Sequence, residues 1–443
     1  MIVRDQFDFV MDLERSHGPY LFDAREVVKD SHGTERTLSL EERTLLDFYS
    51  QFAAWPVGYN HPKLREPDFE AALLRSAIHK IANSDIVTVE KAAFVQRMAE
   101  VAIHDGLDYL FVISGGALAV ENTLKAAFDW KIRLNFQRGI LRPEAEYKII
   151  HFKEAFHGRS GYTMSLTNTD PDKTRFFPKF ESWPRISNPK MRFPVEKHIG
   201  EIERREHQAL QEIREAIAQN PHTIAAVIME TIQAEGGDNQ FRAQFFQQLR
   251  ALTHEHDILL ILDEVQAGCG ITGKFWAYQH YGIIPDLISF GKKMQICGVL
   301  ARKATFDRVE HSSFTLPGRL NSTWGGSLVD MVRATRILEI IRDEKLVENA
   351  ARQGAYLLSK LQIMEDEFSH LIHNARGIGL MAAFDFFDPG KRTRFVAEMR
   401  KNHVLTLTCG THTIRLRPLL DIRQEHIDQY LDAAHRSLKA IHR

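Results

Sequence analysis

From residue 69 onward, the apolar positions alternate between helical spacing and short unbroken runs. FEAALLRSAIHKIA over 69–82, ALAVENTLKAAFDWKIRLNF over 117–136, the charged EKHIGEIERREHQALQEIREAIAQN over 196–220 and FRAQFFQQLRALTHEHD over 241–257 carry the spacing of amphipathic helices. Between them YLFVI at 109–113, YKIIHF at 147–152, TIAAVIME at 223–230 and ILLILDEV at 258–265 lack polar alternation, as strands buried on both faces do. Such alternation predicts crossover units, hence an α/β fold with a parallel sheet covered by helices.

The two ends read differently. Between Tyr20 and Pro62, short apolar pieces (YLFDA, LLDFYSQFAAW) end in the turn Tyr59-Asn60-His61-Pro62, which predicts a small β-rich lobe. After Trp324-Gly325-Gly326, amphipathic helices run to about Phe368, followed by the strand-like RGIGLMAAFDF and HTIRLRP and a closing helix to Arg443. The expected boundaries are 1–70, 71–330 and 331–443, with 71–330 as the large domain and a smaller α+β lobe after it. Neither an internal repeat nor a low-complexity linker interrupts this pattern.

Composition removes several functions. With 57 Lys plus Arg against 58 Asp plus Glu, no overall field favours nucleic acid or a membrane surface. Cys269, Cys297 and Cys409 lie too far apart for a CxxC site or a disulfide framework, so a reducing cytoplasm is expected. The first twenty residues lack the apolar run of a secretory signal, and no stretch reaches the roughly 20 apolar residues of a membrane span. His254-Glu255-His256 sits at a helix end without HExxH spacing, so no metal site is expected.

The chemistry concentrates where strands end. ILLILDEV delivers Asp263-Glu264, and the apolar Leu287-Ile288-Ser289-Phe290 delivers Lys292, both on the edge where open α/β sheets bind ligands. A carboxylate there needs a cation or donors, and a protonated pyridine nitrogen suits Asp263. A lysine there can form a Schiff base with an aldehyde cofactor and shuttle a proton; Lys293 is read as its solvated surface neighbour. Ser114-Gly115-Gly116-Ala117 joins a strand to a helix and leaves backbone N–H groups free for a phosphate.

In this order the elements resemble class III aminotransferases of fold type I. The motifs are Gly115-Gly116-Ala117, Phe156-His157-Gly158, Asp263-Glu264-Val265-Gln266, Lys292 and Ser322-Thr323-Trp324-Gly325-Gly326. SGGALAVENTLKAAFDWK, FHGRSGYTMSLTN, FGKKMQICGV and RLNSTWGGSLVDMVRA are similar to the L-lysine 6-aminotransferase branch. The chain departs from the family pattern at Gly270-Ile271-Thr272-Gly273, at Lys293-Met294-Gln295, and at Thr231 and Ala234 in ETIQAEGG.

The resemblance implies a mostly parallel seven-stranded sheet, one small α+β domain shared by both chain ends, bound pyridoxal 5'-phosphate and a homodimer with active sites at the subunit interface. It makes Lys292 the cofactor's covalent anchor and proton carrier, and Asp263 the partner of its ring nitrogen. Phe156 and Val265 would hold the two ring faces, with His157 beside the ring and Gln266 on its hydroxyl. Gly116 and Ala117 would bind the phosphate together with Thr323 from the second subunit. Arg415 would take the α-carboxylate of 2-oxoglutarate, Glu235 would mask it while L-lysine is bound, and Arg159 is the candidate for the outer carboxylate. The implied reaction moves the terminal amino group of L-lysine to 2-oxoglutarate, with ornithine or 4-aminobutyrate as alternative donors.

Overall fold

The computed structural model describes residues 9–29, 34–140 and 144–442. The opening MIVRDQFD of the expected signal-free terminus and the terminal Arg443 lie outside the described residues.

Seven strands form the central sheet: β1 Tyr109–Ile113, β2 Lys148–Phe152, β3 Arg185–Ile186, β4 Ile224–Glu230, β5 Leu259–Asp263, β6 Leu287–Phe290 and β7 Cys297–Ala301. Their spatial order is β1-β7-β6-β5-β4-β2-β3. Only β7 runs antiparallel to its neighbours, because six residues separate it from β6 and no crossover helix fits in so short a link.

Every residue of β4 and β5 is buried, and the pleat sends alternate side chains to two separate cores. Leu259 and Ile261 pack with Val120, Leu124 and Trp130 of helix 116–137. Leu260 and Leu262 pack on the other face with Phe245 and Leu249 of helix 243–255. Asp263 continues the first series, which turns its carboxylate toward the face carrying the N-terminus of helix 116–137.

The chain's two ends meet. Thr44–Asp47 pairs antiparallel with Tyr20–Phe22 and parallel with Val404–Leu405. A four-stranded antiparallel sheet, in the order Ile372–Ile378, Met381–Phe386, Thr413–Leu416, Leu407–Cys409, carries Arg415. Helix 69–82 of the sequence reading spans Pro67–Ile78. A helix at Val89–Val101 was not anticipated; its inward stripe reduces to Phe94 and Met98 among alanines, too short to read as a period. No helix among the described residues is long and apolar enough to cross a membrane.

One glycine fixes how closely the pieces approach. Gly158 has φ +110°, and a Cβ there would stand 2.5 Å from that of Ala117 at the start of helix 116–137. Gly158→Ala is therefore expected to cost about 1–3 kcal/mol, from left-handed strain and overpacking. Urea denaturation checks this, and an unchanged midpoint would show that the contact is not tight.

Candidate active site

Parallel register sets the floor of the site. Glu230 lies beside Asp263, and Asp263 beside Ser289, at the carboxyl ends of β4, β5 and β6. Asp263 accepts from the Val265 N–H at 3.0 Å and the Ser289 hydroxyl at 3.1 Å, and its Oδ2 lies 2.8 Å from His157 Nδ1. Glu230 accepts from the N–H groups of Phe156 (2.8 Å) and Ala234 (3.2 Å). Burial, and then the charge of Asp263, push the Glu230 carboxyl well above the usual range. Glu264 points elsewhere and caps the turn at Ala277–His280 through the Ala277 and Tyr278 N–H groups.

Just past β6 the chain turns with Lys292 at φ 49°. Its Nζ donates to Phe52 O at 3.0 Å. Lys293 is not the solvated neighbour the sequence suggests: the turn buries it, and its Nζ donates to Ala53 O (3.1 Å) and Gln266 O (2.7 Å). Gln295 donates to Ala54 O at 2.7 Å. The Phe52 and Ala53 carbonyls belong to a turn in which Ser50, Gln51, Phe52 and Ala53 all have left-handed φ, between 45° and 61°, and Ala54 follows it directly. Burial lowers the Lys292 ammonium to about 7, helped by the guanidinium groups of Arg415 and Arg417. Burial likewise takes Lys293 to about 7.

Above this floor lies a cavity of about 630 Å³. Gly116, Ala117, Phe156, His157, Arg159, Glu235, Asp263, Val265, Gln266 and Lys292 all line it, so the structure gathers all but two of the expected site residues here. The helix that begins at Gly116 has no side-chain cap, leaving its first amides to the cavity. A Cβ on Gly116 would stand 3.0 Å from Val265, which brings the phosphate-type turn and the Asp-x-x-Gln loop together. Thr323 and Arg415 are absent from the lining. Thr323 is exposed, its carbonyl accepting from Ser84 at 3.3 Å.

Arg415 sits directly behind Glu235, whose Oε2 receives its Nη2 at 2.6 Å. Its Nη1 reaches Gln266 Oε1 at 3.4 Å, and Arg417 Nε reaches the same oxygen at 3.1 Å. Arg417 is neutralised by a bidentate pair with Asp238. The second oxygen of Glu235 receives Lys173 Nζ at 2.5 Å. Burial alone would raise the Glu235 carboxyl, but Arg415 and Lys173 outweigh it and hold the group ionised. Arg159 is exposed at the cavity wall. Thr231 and Ala234 are fully buried behind the lining residues Ile232 and Glu235.

A carboxylate at a strand end, a near-neutral lysine and uncapped helix amides facing one cavity fit an anionic, aldehyde-bearing ring. The family model for aminotransferase class-III matches residues 24–438. The chain is a class-III aminotransferase. L-lysine-epsilon aminotransferase from Streptomyces clavuligerus is 43% identical over 440 residues, covering 99% of this chain and 92% of that protein. The solved lysine aminotransferase from M. tuberculosis in the internal aldimine form matches with TM-score 0.92 at 43% identity, covering 99% of this chain and 97% of that one. A 4-aminobutyrate aminotransferase from Dictyostelium discoideum is 29% identical, covering 98% of this chain and 86% of that protein.

Sequence reasoning about this aminotransferase missed Lys173, Glu230, Arg417 and Asp238. Glu230 ends a strand just as Asp263 does, and that signal could have found it; the other three are joined to the site only through space.

The Lys293 burial has a measurable consequence. Its folded pKa of about 7 lies below the ordinary value of about 10.4, so between them the unfolded chain binds the extra proton and stability rises with pH. Lys293→Met should reduce the increase in urea midpoint between about pH 7 and 9; an equal increase in both proteins would place Lys293 in solvent.

Proposed function

We propose that the chain transfers the terminal amino group of L-lysine to 2-oxoglutarate, using pyridoxal 5'-phosphate. The products are L-glutamate and 2-aminoadipate 6-semialdehyde, whose amine and aldehyde close to piperideine-6-carboxylate. The observation that carries the choice of donor is the near full-length 43% identity to L-lysine-epsilon aminotransferases, against 29% for the 4-aminobutyrate enzyme.

When bound, the cofactor supplies an aldehyde that exchanges between amines and a ring that accepts electrons. Asp263, fixed by His157, Ser289 and the Val265 N–H, holds the proton on the ring nitrogen. The amides of Gly116 and Ala117 take the phosphate, while Phe156 and Val265 confine the ring. Gln266 presents its amide nitrogen to the ring hydroxyl, since its oxygen already serves Arg415 and Arg417. Lys292 Nζ, with its ammonium near neutral, takes a proton from the terminal carbon of L-lysine.

L-lysine enters with its amine inward and its methylene chain past Glu235, which covers the Arg415 charge. In the return half of the cycle Glu235 moves aside, Arg415 binds the α-carboxylate of 2-oxoglutarate bidentately, and Arg159 takes the outer carboxylate. A homodimer belongs to the same reading. Support comes from Thr323, exposed and outside the cavity, and from the exposed Phe176, Phe177 and Trp324. So does the division into a large domain at 71–330 and a small one from 1–70 and 331–443, supported by the pairing of Thr44–Asp47 with Val404–Leu405. The three unpaired cysteines support a reducing compartment.

The deciding experiment supplies L-lysine, ornithine or 4-aminobutyrate with 2-oxoglutarate and follows glutamate and the cyclic imine by mass. Both products from L-lysine alone are expected; preference for another amine would overturn the donor assignment. Lys292→Ala should lower transfer about a thousandfold or more and Asp263→Asn about a hundredfold. Because the nucleophile is the uncharged amine, cofactor uptake by the cofactor-free protein should accelerate as pH rises through about 7 and level off above it. A flat absorbance-detected rate between pH 6 and 8 would contradict the lowered Lys292 value.

A further inference from the structure

Glu235 divides its two oxygens between different cations: Oε2 to buried Arg415 at 2.6 Å and Oε1 to Lys173 at 2.5 Å. Lys173 ends the short turn Pro171–Lys173, which is capped by Asp170, and its ammonium also lies 5.9 Å from the Phe156 ring centre. It reaches the site from the solvent side, with 29% of its side chain exposed, whereas Arg415 approaches from the interior with 1% exposed.

The backbone beneath Glu235 has little freedom. Its carbonyl accepts from the Gly410 N–H at 3.0 Å, and the adjoining Gly236 packs so closely that a Cβ there would fall 2.0 Å from Glu154 O. The carboxylate can therefore leave Arg415 only by rotation of its own side chain. Leaving with no other partner would abandon a charge in a poorly solvated place, which is costly. Retaining Oε1 on Lys173 while Oε2 turns away keeps the carboxylate neutralised throughout, and the terminal torsion of a glutamate is broad enough for this.

We infer that Lys173 is a positioning residue, the pivot on which Glu235 turns to uncover Arg415, so that it sets how readily the pocket accepts a dicarboxylic oxo acid after an amine donor. The inference rests on the proposed masking of Arg415 by Glu235. Lys173 touches neither reacting carbon, and the amine half-reaction, in which Glu235 stays on Arg415, does not need the pivot.

The test separates the half-reactions of the holoenzyme by stopped-flow absorbance. For Lys173→Met, the second-order rate constant for 2-oxoglutarate with the aminated cofactor form should fall about tenfold, while that for L-lysine changes less than about threefold. Binding of glutarate, an unreactive dicarboxylate, measured by calorimetry, should weaken about tenfold, and Lys173→Arg should restore both readouts. In a Glu235→Gln background, adding Lys173→Met should have no further effect. Equal loss in both half-reactions, failure of arginine to rescue, or a full effect persisting in that background would overturn the pivot and leave Lys173 as general electrostatic attraction or structure. If Glu235→Gln alone left the ratio of the two half-reactions unchanged, the masking reading would itself have failed, independently of Lys173.

Discussion

Lys292, Lys293, Arg415 and Arg417 crowd the inner side of the site, and its chemistry depends on how each is compensated where water is scarce. A charge pair at 4 Å is worth about 4 kcal/mol at an effective dielectric of about 20, while a buried charge stripped of its partner costs about 3–5 kcal/mol. Arg417 is paired with Asp238 and Arg415 with Glu235, which fixes where both guanidinium groups point. Lys292 and Lys293 receive only backbone carbonyls and both fall to about 7. The two kinds of cation therefore differ in surroundings: the arginines are paired with carboxylates, the lysines with backbone carbonyls.

Two of the carbonyls that serve those lysines, those of Phe52 and Ala53, come from a conformation L-residues avoid. Four successive left-handed residues at 50–53 cost roughly 1–2 kcal/mol each. They are held at one end by Asp47, which accepts from the Tyr49 and Ser50 N–H groups at 2.8 Å, and at the other by Lys292, Lys293 and Gln295. The strained turn and the desolvated lysines thus stabilise one another, tying the amino-terminal segment to the large sheet at the reacting centre.

The carboxylates show how position decides a group's surroundings. Glu230 and Asp263 stand side by side in the sheet, and Glu230, which accepts from two amides, has its carboxyl pushed well above the usual range by burial and by the charge of Asp263. Asp263 has His157 and a hydroxyl besides an amide, and it faces the cavity. Glu235, one turn farther on, stays ionised because two cations outweigh its burial. Three acids within six residues of their strand ends therefore have three different sets of partners.

Much of this was legible without coordinates. Runs such as ILLILDEV and TIAAVIME specify buried strands because burial on both faces abolishes alternation, and a polar residue ending such a run has nowhere to go but the sheet's ligand-binding edge. Asp263 and Lys292 were read on that ground, and the glycine turn as a strand-to-helix link with free N–H groups, since each property is local to a few residues. What tertiary structure alone decided are the relations across the chain. Lys173 lies 62 residues from Glu235, and Glu235 lies 180 from Arg415, and no periodicity encodes such distances. Lys293 was misjudged for the same reason: which way a side chain points after a strand ends is set by a left-handed turn at Lys292 and by the carbonyls of Ala53, 240 residues away, and Gln266. Local pattern determines which segments become strands and helices; charge compensation between their ends, which acts through space, determines what those ends can do.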